Sequence, residues 1–189
     1  MKLLLYCTKA KPYLADFKGE YQTYSNGKEL DELWDKGFNL NDIMNILNGK
    51  IVAECDFEVE WCDTSWCCGD FIEHKGLEKS CLTKEQLFDY VKGRNEFYAI
   101  HINNLYIFDE PKKITAYHCK TNKNDELCLN GGCGYKFFHK APQNMMKVYD
   151  HWGKGNEYIL ISIRPEWLCK ILNGEKTIEV RKKVLKEMI

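Results

Sequence analysis

Residues 158–181 read Tyr-Ile-Leu-Ile-Ser-Ile-Arg-Pro-Glu-Trp-Leu-Cys-Lys-Ile-Leu-Asn-Gly-Glu-Lys-Thr-Ile-Glu-Val-Arg, and they constrain the fold more than any other stretch. Ile159 to Ile163 is apolar and β-branched, as a buried strand requires. Pro165 suits the first turn of a helix, where a missing N–H costs nothing. Trp167, Leu168, Ile171 and Leu172 fall at helical spacing on one face. Gly174 stands just past them, where a left-handed stop is wanted. Ile178 and Val180 then alternate with Thr177, Glu179 and Arg181, so the three polar residues share one face of a second strand, with Lys176 at its mouth. A strand–helix–strand unit of this kind opens a domain, yet eight residues follow it. Either the chain is cut short, or the rest of that domain lies upstream in permuted order.

Composition supports one domain of 189 residues with a real core, since 44% of the chain is hydrophobic and 13% aromatic. The net charge of −1 argues against a strongly basic, non-specific nucleic-acid binder. The charge is uneven: residues 164–189 hold seven Lys/Arg against four Glu, while the remainder holds 20 against 24. The positive end is therefore the expected ligand-facing end. The apolar run near Met1 is shorter than the roughly 7–15 residues of a secretory core, and no run approaches the ~20 residues of a membrane span. A cytoplasmic protein without membrane contact is expected, its ten cysteines reduced or metal-bound.

Lys2–Thr8 reads as a buried strand. Residues 15–48 are polar and broken by Gly19, Asn26-Gly27 and Gly37, with short helical turns at Leu30–Trp34 and Leu40–Leu47. Lys50–Trp61 alternates as a strand. Thr83-Lys-Glu-Gln86 is a capping box for a helix from Lys84 to Lys92 that stops at Gly93. Phe97–Phe108 is a long strand broken near Asn103-Asn104 and ended by Asp109-Glu-Pro111. Met145–Tyr149 is a further strand, and residues 150–157 read as a linker. Residues 62–80 and 118–139 are Cys-rich insertions. The fold class expected is α+β: five or six strands and two or three short helices closing as a small mixed β-barrel.

Several segments together resemble the ASCH family, whose domains have a PUA-like β-barrel. They are Leu160-Ile-Ser-Ile-Arg-Pro-Glu, Ile171-Leu-Asn-Gly-Glu-Lys-Thr-Ile-Glu-Val-Arg181, Leu4-Leu-Tyr-Cys-Thr-Lys9, Gly49-Lys-Ile-Val-Ala-Glu-Cys-Asp-Phe57, Tyr98-Ala-Ile-His-Ile102 with Phe108-Asp-Glu-Pro111, and Ala141-Pro-Gln-Asn144 before Val148-Tyr149. Phage and prophage members are the most similar. In the family the Ile-Arg-Pro-Glu segment comes first and the Ala-Pro-Gln-Asn segment last; here the first has moved behind the last. The resemblance implies one circularly permuted domain over 1–189. Residues 1–149 are then the family's C-terminal portion, 150–157 the joining linker and 158–189 its N-terminal portion. Such rearrangement is tolerated because termini lie at the surface, often close together. It predicts that Met1 lies near Ile189 and that strand 176–182 shares a sheet with Leu3–Thr8. The rival is a tandem protein truncated at both ends, in which 157–189 complete a neighbouring chain by swapping.

The resemblance implies a binding module for RNA or a nucleotide, in a basic cleft beside the Gly-x-Lys-Thr segment. Lys9, Arg164, Lys176 and Arg181 are the phosphate candidates. Glu179 or Glu54 would accept from a base edge or ribose, and Tyr6, Trp61 or Trp167 would stack. Weighed against this, Lys176 and Arg181 are solvated strand ends, Glu179–Arg181 a surface pair of little worth, Arg164 merely exposed and Trp167 a core residue. Some small members resemble amidohydrolases acting on N4-acylated cytidine. Their lysine matches Lys176, but their threonine three residues on is Glu179 here, with Thr177 nearby; the catalytic candidates are Lys176, Thr177 and Glu179. A third function is a phage-type protein that inhibits a host factor through an exposed apolar patch on 15–48 or 62–80. No cofactor is required. Structural zinc is a candidate at His118, Cys119, Cys128, Cys133 and His139, and less so at Cys62, Cys67, Cys68, His74 and Cys81, although neither cluster has a C-x-x-C. His101 reads as a packed or hydrogen-bonded strand residue. A monomer is expected.

Overall fold

The computed structural model describes residues 1–8, 13–17, 20–24, 47–64, 76–118, 142–150 and 156–189. Its elements in chain order are β1 (Lys2–Cys7), β2 (Tyr13–Phe17), β3 (Glu20–Tyr24), β4 (Lys50–Asp63), α1 (Gly76–Ser80), α2 (Lys84–Val91), β5 (Glu96–Lys113), a 3₁₀ turn (Ile114–Ala116), β6 (Tyr117–His118), β7 (Met145–Asp150), β8 (Glu157–Ile163), α3 (Pro165–Leu172), β9 (Ile178–Arg181) and a closing 3₁₀ turn (Lys186–Met188). The architecture is α+β. Seven strands make one mixed sheet in the order β6-β7-β8-β1-β4-β5-β9, and β2 and β3 form a separate hairpin.

β1 and β8 occupy the middle of the sheet because they are apolar on both faces. They run parallel, from Lys2 opposite Tyr158 to Cys7 opposite Ile163. Leu3, Leu5, Cys7, Ile159, Ile161 and Ile163 face one core, which α3 covers with Leu168, Cys169, Ile171 and Leu172. Leu4, Tyr6 and Leu160 face a second core, closed by Phe108, Ile114 and Tyr117. A third core lies at the far end of β4 and β5, where Leu87 and Val91 of α2 pack on Cys62, Phe97, Ile178 and Val180. Residues 157–189 are thus built into the sheet and its cores. Met188, next to the chain end, belongs to the core that contains Leu3 and Leu5. β9 shares the sheet with β1, with β4 and β5 between them.

The ends of the helices follow the sequence signals. Thr83 accepts from the Gln86 N–H while the Gln86 side chain accepts from the Thr83 N–H, a reciprocal cap on α2. Gly93 and Gly174 take positive φ, 76° and 77°. After α3, the Gly174 N–H donates to Ile171 O, and the Glu175 and Lys176 N–H groups both donate to Lys170 O. That satisfies helix-end carbonyls and turns the chain into β9.

Three elements differ from expectation. β5 does not end at Asp109-Glu-Pro111 but continues to Lys113. Its pairing with β4 jumps from Ala53–Ile107 to Ile51–Lys112, so Val52 alone opposes residues 108–111. Pro111 sits inside that bulge, where a missing donor breaks no ladder bond. The break near Asn104 is a second bulge, with Asn104 at φ 49° and the strand running on through it. Tyr13–Phe17 and Glu20–Tyr24 pair as a hairpin, which the polar reading of 15–48 missed; the helical turns expected at 30–34 and 40–47 fall outside the described residues except for Leu47, which is not helical. Residues 150–157 connect an antiparallel pair, β7 and β8, with Asn156 N donating to Asp150 Oδ1 at 3.1 Å.

The sheet is not closed by strand pairing, because β9 pairs with β5 alone among the described residues. It nevertheless curls back on itself. Arg181 of β9 donates from Nη2 to Ser162 O of β8 at 2.6 Å, and Asn144 Nδ2 donates to Lys183 O at 3.2 Å. Side chains, not backbone ladders, hold that seam.

Gly174 tests the helix stop cleanly, because a Cβ placed there would meet nothing within 4 Å. Any cost of Gly174→Ala is then backbone strain, expected at about 1 kcal/mol. Urea denaturation should show that loss, and Gly174→Asn should show less of it.

Candidate functional site

The seam between β8 and β9 opens into a cleft of about 510 Å³. Its floor is Lys176, Glu179, Val180 and Arg181, and its walls include Thr8, Ser162, Trp167, Gln86 and Tyr90, with Arg164 and Gln143 at the rim. The alternation read from sequence puts Glu179 and Arg181 on the cleft side of β9. Thr177 does not line it, and its backbone is committed: its N–H donates to Lys79 O and its carbonyl accepts from Ile102 N–H.

Lys176 is not a solvated strand end. It is 3% exposed, and its ammonium donates to Ser80 O at 2.6 Å and Ile178 O at 2.7 Å, with Glu179 Oε2 at 3.3 Å. The Trp167 ring lies 5.3 Å from the same nitrogen. Burial lowers the Lys176 pKa below its ordinary value, against the opposing pull of the Glu179 charge. Glu179 is 8% exposed and is flanked by a second cation, with Arg181 Nε 2.9 Å from its Oε1. This is no surface pair. Arg181 also donates from Nη1 to Asn144 Oδ1 at 3.1 Å and from Nη2 to Ser162 O. The Nε–H is a close charge contact but is not aimed at the carboxylate oxygen, so the buried Nε has no hydrogen-bond partner in the protein. Thr8 Oγ1 is likewise buried and unpartnered. These are the two such side-chain atoms among the described residues, and their residues line the same cleft.

Other sequence candidates lie elsewhere. Tyr6 is buried in the second core, because β1 has an apolar face on each side and its alternation aims Tyr6 with Leu4. Glu54 pairs with Lys2 at 3.0 Å and lines a separate depression with Tyr106 and Phe108. Trp61 is exposed on a different groove. Trp167 packs partly on the main core and also walls the cleft, so the two readings of it meet in one residue. Arg164 is exposed at the cleft rim, with a loose pair to Glu166 at 4.0 Å. Lys9 lies outside the described residues. His101 Nε2 meets Glu60 Oε2 at 2.9 Å, as a hydrogen-bonded strand residue should.

The described residues contain no cluster of three or more metal-ligating side chains. In the first cysteine cluster, Cys62 packs in the third core and Cys81 Sγ donates to Glu175 O; Cys67, Cys68 and His74 lie outside the described residues. So do Cys119, Cys128, Cys133 and His139 of the second, and most of the segments proposed to carry an inhibitory apolar patch. No helix among the described residues is long and apolar enough to cross a membrane.

Sequence reasoning missed Thr8, Gln86, Tyr90 and Asn144 as site residues. Gln86 and Tyr90 are one helical turn apart on α2, a spacing visible in the sequence, but nothing there says that α2 stands beside β9. No family model matches the chain, and neither a curated protein nor a solved structure does.

Removing the Lys176 ammonium takes one of two cations from the buried Glu179 and leaves Ser80 O and Ile178 O without that donor. Lys176→Met should lower stability by roughly 3 kcal/mol or more, measured by denaturant unfolding. The pH dependence has a definite sign. The folded pKa lies below 10.5, so between it and 10.5 the unfolded chain holds the extra proton and stability rises with pH. The stability gap between wild type and Lys176→Met should therefore widen as pH climbs through that window.

Proposed function

We propose that the chain is a circularly permuted ASCH-type domain with a PUA-like barrel, and that its cleft binds a nucleotide-type ligand, free or as part of an RNA. The observation that carries this is one basic cleft in which Thr8 Oγ1, buried and without a hydrogen-bond partner, stands with Lys176, Glu179 and Arg181. A buried polar atom without a partner costs on the order of 1–3 kcal/mol, and such exceptions concentrate where function needs them. A ligand that bonds to Thr8 removes that cost. The volume of about 510 Å³ suits one nucleotide-sized molecule. Trp167 and Tyr90 bring aromatic rings to the cleft, Gln143 offers an amide for a base edge, Gln86 offers its Nε2 while its Oε1 caps α2, and exposed Arg164, loosely paired with Glu166, stands at the rim to take a phosphate.

Calorimetric titration of the four ribonucleoside 5′-monophosphates and their nucleosides checks this reading. At least one nucleotide should bind more tightly than its nucleoside, with affinity that falls as salt rises. Arg164→Ala should weaken the nucleotide several-fold and the nucleoside little. A nucleoside that binds as well as its nucleotide, or no binding by any of them, overturns it.

The amidohydrolase reading of the same cleft gains support from Thr8, a hydroxyl that shares the cleft with Lys176 and Glu179. It would supply the nucleophile that the position of Glu179 lacks, and burial of Lys176 favours the neutral amine that a general base must be. Against it, the Lys176 nitrogen is surrounded by three acceptors that favour the ammonium. Hydrolysis of N4-acetylcytidine that is abolished by both Lys176→Ala and Thr8→Val would establish the activity; turnover that survives Thr8→Val would remove Thr8 from it.

A further inference from the structure

We propose that an open groove beside the cleft is a second binding site, which takes the base and phosphate of a flanking nucleotide, so that the ligand is a single-stranded nucleic acid. This rests on the nucleotide reading of the cleft and extends it. The groove has a volume of about 730 Å³ and is lined by Trp61, Asp63, Lys92, Arg94, Glu96 and Lys182 with the intervening backbone.

Trp61 is 52% exposed on β4, beside the fully buried Cys62. Its Nε1–H donates to Glu96 Oε2 at 2.8 Å, which holds the indole in place while leaving ring surface to solvent. An exposed indole held by its N–H is a platform for a base, because every base has a π-face and stacking needs no sequence. Around it stand three cations against two carboxylates, and one of those carboxylates, Glu96, already accepts from Trp61 and from the Tyr98 hydroxyl. The rim that carries Lys92 and Arg94 is fixed before any ligand arrives. Thr64 N–H donates to Asn95 O at 2.9 Å, and the Thr64 hydroxyl donates to Arg94 O at 3.0 Å.

Continuity with the cleft is built into two chain segments. Arg181 lines the cleft and Lys182, the next residue, lines the groove. Tyr90 lines the cleft and Lys92, two residues on, lines the groove. The ridge between them is a cation–ring pair, with Lys182 Nζ 4.8 Å from the Tyr90 centroid. A strand leaving the cleft over Tyr90 meets Lys182, which lines the groove together with Trp61. The groove is open, so the polymer can run on.

Fluorescence anisotropy with labelled octauridylate and octadeoxyuridylate, competed by uridine 5′-monophosphate and by an eight-base-pair duplex, tests this. One octamer should bind at least about fivefold more tightly than the mononucleotide, and Trp61→Ala should abolish that ratio while Trp61→Phe retains it. The ratio between the two octamers reports whether the sugar is read. Replacing Lys92 and Lys182 by Ala should lower the salt slope for the octamer by about 1.4. An octamer that binds no better than the mononucleotide, or a gain that survives Trp61→Ala, overturns the groove and leaves the cleft reading intact. A duplex that binds as well as the single strands also overturns it, because paired bases cannot stack on Trp61. Binding of octamer without mononucleotide, lost in Trp61→Ala, supports the groove and overturns the cleft.

Discussion

The buried carboxylate of Glu179 organises this molecule. It lies between Lys176 and Arg181, and each cation reaches onward to a different part of the chain. Lys176 ties β9 to Ser80 at the end of α1. Arg181 ties β9 to Ser162 of β8 and to Asn144 just before β7. A carboxylate cannot be desolvated without partners, and an ion network of this kind adds little net stability over an apolar substitute. Its contribution is directional: the three anchors have one arrangement in which all the charges are answered. That arrangement brings the edge strand of an open sheet back against its centre, where no backbone ladder forms.

The same residues make the seam and the cleft, so stability and recognition are coupled at one place. Had β9 paired with β8, the ladder would have filled the gap and left no pocket. Side-chain bridging holds the strands near enough to be one structure and far enough apart for a molecule to enter. The network also stops short of completing itself. Arg181 uses both terminal nitrogens on the protein and sets its Nε against Glu179, whereas Thr8 leaves β1 with its hydroxyl unpaired. Unsatisfied groups at a structural joint would be selected against unless something answers them.

Much of this was legible in the sequence wherever the signal is local. The Thr83–Gln86 cap, Pro165 and Gly174 bounded their helices correctly, since each acts through its own backbone. Period two on β9 put Glu179 and Arg181 together. The same logic failed for Tyr6, because Leu-Leu-Leu-Tyr-Cys is apolar throughout and period two cannot tell one core from another. Pro111 read as a terminator because a proline inside a ladder is costly; the bulge opposite Val52 removed the cost, and bulges leave little trace in composition. The burial of Lys176 was invisible for a related reason. A lysine flanked by Glu175 and Thr177 reads as surface until Ser80, ninety-six residues away, is known to stand beside it.

The charge asymmetry of the chain gains meaning from these positions. Of the seven cations in residues 164–189, Lys176 and Arg181 are spent largely on Glu179, whereas Arg164 and Lys182 flank the cleft on its rim and on the adjoining groove. The two groups do different physical work. Exposed cations act over roughly a Debye length, about 8 Å at physiological salt, and raise the encounter rate with an anion without choosing among anions. The buried pair is shielded from salt and fixed in direction, so it can discriminate by hydrogen-bond geometry but attracts little from a distance. A ligand would thus be gathered by one set of residues and oriented by another. The molecule therefore needs no strongly basic net charge to hold an anionic ligand.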